Sequence, residues 1–177
     1  MSRSLTIDTS TSQTIVGLIE DGQILFQSHH EGATDHGAAV IELVAQAIKA
    51  GGVPSQIIVG MGPGPFTGLR VGISYARAYA LARDIPVIGI CSLDAIEIDQ
   101  IEYTVAIDAR RKEIYWARYV DGARVEGPSV SKPDEVTGFL IGSFPSPAKM
   151  VNLANQQNFS EPFYLRRPDA VPTAERS

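Results

Sequence analysis

Two Asp-Gly dipeptides, Asp21-Gly22 and Asp121-Gly122, each join two short runs rich in β-branched and aromatic residues. Asp-Gly favours the positive backbone angles of a tight hairpin, so each dipeptide commits its surroundings to antiparallel pairing. Around the first, "SLTIDTS", "QTIVGLIE" and "QILFQSH" read as a three-stranded meander. Around the second, "YTVAIDA", "EIYWARYV" and "ARVEG" read as another. Any fold for this chain has to hold two meanders of similar layout.

Between them, "DHGAAVIELVAQAIKAGG" sets Val40, Leu43, Val44, Ala47 and Ile48 on one helical face and Glu42, Gln46 and Lys49 opposite, with Gly51 and Gly52 as a stop. "QIIVGMG" then reads as a buried strand, a glycine-rich loop follows, a helix runs from about Thr67 to Arg83, and "IPVIGIC" is another buried strand. The order β-β-β-α-β-α-β predicts an α/β fold in which a parallel sheet with crossover helices is attached to the first meander. A shift in composition near "SLDAIEIDQIE" divides a first lobe, residues 1–100, from a second, residues 101–177. Beyond Pro128 the pattern weakens: "KPDEVTGFLIG" predicts a short helix, and "FPSPAKM" and "EPFYLRRPDAVPT" predict segments that track the surface.

A chain of 177 residues can bury a core without disulfides, either as one domain or as two small lobes sharing an interface. Its net charge of −5 argues against a broad non-specific nucleic-acid surface, though it leaves room for a local basic patch. Cys91 is the single cysteine, which excludes an internal disulfide and a four-cysteine zinc site and fits a reducing, cytoplasmic setting. No apolar stretch approaches the ~20 residues of a membrane-spanning helix, so no membrane role is expected.

The loop "GMGPGPFTGLRVG", residues 60–72, raises the question of phosphate binding. A P-loop would need Lys and then Ser or Thr after its last glycine, but Gly68 is followed by Leu69 and Arg70. A dinucleotide fingerprint counted from Gly60 or Gly62 reaches Pro65 or Thr67 where its third glycine belongs. Thr67 is a candidate N-cap, and free N–H groups at the helix start could hold an anion weakly. A rigid structural turn through Gly62, Pro63, Gly64, Pro65, Phe66 and Thr67 is favoured over an anion site. In the helix that follows, Gly68, Gly72, Ala76 and Ala80 make a strip of small residues flanked by Tyr75 and Tyr79, which predicts close approach of a partner helix.

Candidates for chemistry are weak. Two imidazoles at i and i+4 on a helix converge on one metal ion, but His36 is followed at that spacing by Val40, and His29 and His30 are adjacent in a strand and point to opposite faces. Neither metal site nor catalytic residue is assigned. Ser74 and Ser92 lie outside any G-x-S-x-G elbow, and Cys91 ends a buried strand as core residues do. His36 reads as a helix-start residue, exposed or at a partner contact.

"IDTSTS", "GPGPFTGLRVG", "IPVIGICSLDAI" and "AIDARRKEIYWARY", in this order, resemble the TsaB (YeaZ) family, accessory proteins of bacterial threonylcarbamoyladenosine modification of tRNA. The resemblance covers residues 5 to 120, with a looser match through "PFYLRR". It implies the actin-like, Hsp70-like ATPase (ASKHA) fold of two related lobes, here with a shortened second lobe. It implies a heterodimer with a TsaD-like catalytic subunit, contact with a TsaE-like ATPase, homodimers when alone, and access to tRNA only through the complex. Within that resemblance the contact falls on the helices containing His36 and Val40 and, in the second, Gly68 to Ala80.

Some positions depart from the family pattern. Pro65 stands where relatives commonly have Ser, and "GAAVIEL" follows His36 where many continue with Ser-Glu. ATPases of this fold open on Asp-x-Gly-Thr-Thr; here Asp8-Thr9-Ser10-Thr11-Ser12 keeps the acid and loses the glycine, which makes Asp8 a turn-capping residue and leaves the chain without a cofactor of its own. ATP or ADP at a subunit boundary in the complex stays open. Arg110, Arg111 and Lys112 at a hairpin tip read as a solvated turn or as a contact to tRNA or an acidic partner. A non-catalytic subunit that binds and activates TsaD leads; the alternatives are an autonomous ATP- or metal-dependent hydrolase and a direct tRNA-binding module.

Overall fold

The computed structural model describes residues 2–166. Strands β1 (Arg3–Asp8), β2 (Gln13–Glu20) and β3 (Gln23–Glu31) form the first meander. Asp21 (φ 48°) and Gly22 (φ 85°) supply the two left-handed residues that its hairpin requires. Helix α1 (His36–Gly51), strand β4 (Gln56–Gly60), helix α2 (Phe66–Arg83) and strand β5 (Val87–Ile90) follow in the expected order. β4 pairs in parallel with both β1 and β5, giving the sheet order β3-β2-β1-β4-β5.

The second meander is β6 (Glu102–Asp108), β7 (Ile114–Val120) and β8 (Ala123–Ser131), turned at Asp121 (φ 49°) and Gly122 (φ 75°). A short strand β9 (Phe139–Ile141) pairs in parallel with β6, so the second sheet, β8-β7-β6-β9, repeats the order of the first without its last strand. Both meanders expected from the two Asp-Gly turns are present.

The first sheet is covered on both faces. Leu5, Ile7, Val16, Leu18, Ile57 and Val59 point to α1 and α2 and form one core with Val40, Leu43, Val44, Leu69, Ile73 and Ala76. α1 buries the expected face, and Gly52 (φ 87°) ends it by donating its N–H to the Ile48 carbonyl at 2.7 Å. The alternate strand positions Ile58 and Ile90 pack with Met150 of a third helix, α3 (Pro147–Leu153).

That helix corrects the reading of "FPSPAKM" as a surface-tracking segment. Ser146 accepts a hydrogen bond from the Lys149 N–H and Pro147 occupies the first turn, a start signal that carries even a seven-residue helix. "KPDEVTGFLIG" is likewise no helix. It holds one 3-10 turn, Pro133–Glu135, and then β9, bracketed by the left-handed glycines Gly138 and Gly142. Of "EPFYLRRPDAVPT", the stretch up to Arg166 runs along the junction of the sheets, and the remainder lies outside the described residues.

The chain leaves the second sheet to return to the first: α3 packs on β1, β2 and β4. Phe159 donates its N–H to Gly89 on the β5 edge and Phe163 donates to Met61, each at 2.8 Å. Between the sheets, a 3-10 turn (Leu93–Ala95) carries Asp94, whose carboxylate accepts Tyr119 Oη and Gln157 Nε2 at 2.7 Å each and faces Arg124 Nε at 3.4 Å.

Candidate functional site

The glycine-rich loop lies against the turn that follows β1. Asp8 Oδ1 accepts the Ser10 N–H at 2.8 Å and Ser10 Oγ at 2.6 Å, and Oδ2 accepts Ser92 Oγ at 2.7 Å. Ser92 Oγ in turn accepts the Gly62 N–H at 3.1 Å. Asp8 is fully buried, and burial raises its carboxyl above the ordinary range against the pull of those hydrogen bonds. Thr9 Oγ1 donates to the Gly68 carbonyl at 2.7 Å and accepts from the Gly72 N–H at 3.2 Å. The side chains of Asp8, Thr9 and Ser10 are thus engaged inside the protein, while Thr11 and Ser12 of the same turn line open surface.

The same contacts explain the small residues. A Cβ on Gly64 would stand 2.5 Å from the Ser10 carbonyl oxygen, one on Gly68 2.8 Å from the Thr9 carbonyl oxygen, and one on Gly72 2.4 Å from Thr9 Oγ1. Gly64, Gly68 and Gly72 thus form a bed on which the β1–β2 turn rests. Gly68, Gly72, Ala76 and Ala80 are buried within this chain, as are His36 (4% exposed) and Val40 (1%). This corrects their reading as partner-contact residues: Gly68 and Gly72 seat the chain's own turn, Val40, Ala76 and Ala80 pack in the core of the first sheet, and His36 lies between Thr14 and Gly68. Thr67 is no N-cap either. Pro65 holds that position, and Thr67 is an exposed residue of the first helical turn.

His36 sits under the loop with Nδ1 2.8 Å from Thr14 Oγ1. Burial, the largest influence, lowers its pKa, while Asp8 pulls the other way. His29 and His30 are exposed on β3, and among the described residues no group of three or more His, Cys, Asp or Glu is placed to hold a metal ion. Cys91 is fully buried, with its thiol pushed up to about 12 by desolvation, so it has little thiolate at neutral pH. Ser74 is exposed on α2, and Ser92 is engaged with Asp8.

Among the described residues two surfaces bear on function. The first is a cleft of about 520 Å3 between the sheets, lined by Thr11 and His36 on one side and by Arg110, Arg111, Tyr164 and Arg166 on the other. The tip of the β6–β7 hairpin is unusual: Arg110, Arg111 and Lys112 are all left-handed, at φ 59°, 53° and 63°. Each such residue costs on the order of 1–2 kcal/mol. Arg166 braces the tip, donating to the Ala109 carbonyl at 3.0 Å and pairing with Glu113. Sequence reasoning reached the tip cations but not Arg166 or Tyr164, because only long-range folding joins them to the cleft.

The second surface is the outer side of α1 and α2. Leu81 is 86% exposed and Ile41 60%. Val71, Tyr75 and Tyr79 form a half-buried ridge, with the two tyrosine rings 6.2 Å apart. Tyr79 Oη is buried without a hydrogen-bond partner among the described residues.

Residues 29–171 match the family profile described as TsaD, tRNA N6-adenosine threonylcarbamoyltransferase. The TsaB protein of Escherichia coli, named for tRNA threonylcarbamoyladenosine biosynthesis, is 33% identical over 66% of this chain and 54% of its own. The chain belongs to this family, among its TsaB (YeaZ) members. It spans about half the length of the curated TsaB relatives it matches. An uncharacterized protein of Mycobacterium tuberculosis is 37% identical over 98% of this chain and 96% of its own. Two solved structures from Pseudomonas aeruginosa share the fold. One, described as similar to the peptidase YEAZ, has a TM-score of 0.80 at 23% identity over 94% of this chain and all of its own. The other, YeaZ, has a TM-score of 0.75 at 23% identity over 88% and 92%. No described helix is long and apolar enough to cross a membrane.

Proposed function

We propose that this chain is a non-catalytic cytoplasmic subunit that binds and activates a TsaD-type enzyme during threonylcarbamoyl transfer to the tRNA adenosine beside the anticodon. Membership of the TsaB family supports the pathway, since curated relatives carry that name. One observation supports the division of labour: the start of the β1–β2 turn, where an ATPase of this fold would seat phosphate, rests on the glycine bed of α2, with Asp8, Thr9 and Ser10 hydrogen-bonded within the chain. Chemistry then falls to the partner, and ATP or ADP belongs to a subunit boundary rather than to this turn.

Docking uses the outer side of α1 and α2. The buried small residues bring α2 down onto the core, and that position lifts Val71, Tyr75, Tyr79 and Leu81 to the surface. An apolar ridge with two tyrosines suits burial by a partner helix, and the same ridge would pair two copies when the enzyme is absent. Preferential binding to the active arrangement of the partner shifts its population towards that arrangement. A TsaE-type ATPase completes the assembly. The test is transfer of the threonylcarbamoyl group to tRNA by purified TsaD-type and TsaE-type proteins. Activity should require this chain, and full activity in its absence would refute the proposal.

A further inference from the structure

The chain is acidic overall, with a net charge of −5, yet three of its fifteen Lys and Arg residues meet at one cleft. Arg110 and Arg111 project from the left-handed hairpin tip, Arg166 braces that tip from the C-terminal segment, and all three line the interlobe cleft. Lining the same cleft is an aromatic shelf. The Tyr164 ring, 42% exposed, rests on Phe66 with centroids 4.9 Å apart, and the Arg70 guanidinium lies 5.2 Å from the centre of the Phe66 ring. Strained backbone at the tip points the same way, since unfavourable conformations persist where the surroundings enforce them and are concentrated at functional sites.

We propose that this cleft grips a single-stranded stretch of RNA, with phosphates against the cationic hairpin tip that Arg166 braces and one base stacked on Tyr164. Cations that track a phosphodiester backbone beside an aromatic face are what single-strand binding uses, because every base offers a π face while the charges supply affinity. An acidic peptide would use the arginines and leave the aromatic face idle. The choice of RNA over DNA rests on the tRNA reading above. The experiment needs no partner enzyme, so its failure is separable from failure of that reading.

The probe is a fluorescein-labelled single-stranded RNA octamer of mixed sequence, titrated with the full chain and read by anisotropy from low to moderate salt. Salt-sensitive binding is expected. Arg110→Gln combined with Lys112→Gln should weaken it about ten-fold and reduce the slope of log K against log salt by about 1.4, at roughly 0.7 for each phosphate no longer neutralised. Tyr164→Ala should weaken it by about five-fold or more, as loss of a stacked base does. Arg70→Gln, on the exposed side of α2, reads the same shelf without touching the strained tip and should weaken binding several-fold. Arg118→Gln removes a charge from the second sheet away from the cleft and should change little. No binding at low salt, equal affinity for an RNA duplex of the same length, or an Arg118→Gln loss as large as that of the tip variants would overturn the proposal.

Discussion

Gly72 shows how one missing side chain can serve the inside of a protein while looking made for the outside. Its N–H donates to Thr9 Oγ1, and a Cβ there would stand 2.4 Å from that same atom. Gly72→Leu should therefore destabilise the isolated monomer by about 1–3 kcal/mol or more in urea unfolding, instead of leaving it folded and merely unable to associate. Asp8 is predicted to shape the pH dependence of stability. Its folded pKa is raised above the ordinary 3.8, so its contribution is fully present below that value and is lost as pH rises through the folded value. Replacement by Asn removes the titration, so the stability difference between wild type and Asp8→Asn should shift against wild type as unfolding is repeated from pH 4 upwards. Cys91, buried with its thiol pushed up to about 12, should resist a thiol reagent such as DTNB in the native protein and react fully in denaturant.

The elements differ in how openly the sequence declares them. The meanders were legible because Asp-Gly fixes a turn chemically and the flanking runs are rich in β-branched and aromatic residues, and α1 because its apolar face repeats at helical spacing. α3 was hidden: it has only seven residues, and Met150 is its main core anchor. β9 was hidden too, since three residues between two left-handed glycines carry no periodicity. The strip on α2 was visible as a strip, but its occupant was not. The turn that fills it follows β1, far away in the chain, and sequence spacing within a helix cannot say which neighbour a groove receives. α3 is nevertheless integral to the first sheet. Met150→Ala should cost about 2–5 kcal/mol in urea unfolding, because its fully buried side chain fills the layer between α3, Ile58 and Ile90.

At the scale of the whole molecule, two sheets of the same strand order share a junction clamped by Asp94. Its partners come from the second sheet, through Tyr119 and Arg124, and from the returning segment, through Gln157. α1 and α2 cover the face of the first sheet opposite α3. The central claim is that this outer helical side docks a TsaD-type enzyme. Its most direct measurement is light scattering of that enzyme mixed with wild-type chain or with Tyr75→Glu, in the middle of the ridge, with circular dichroism to show that the variant is folded. A heterodimer that forms with wild type and is lost, or weakened about a hundred-fold, with the charged variant is predicted, since interface anchors replaced by a charge cost several kcal/mol; equal complex formation by both would contradict it.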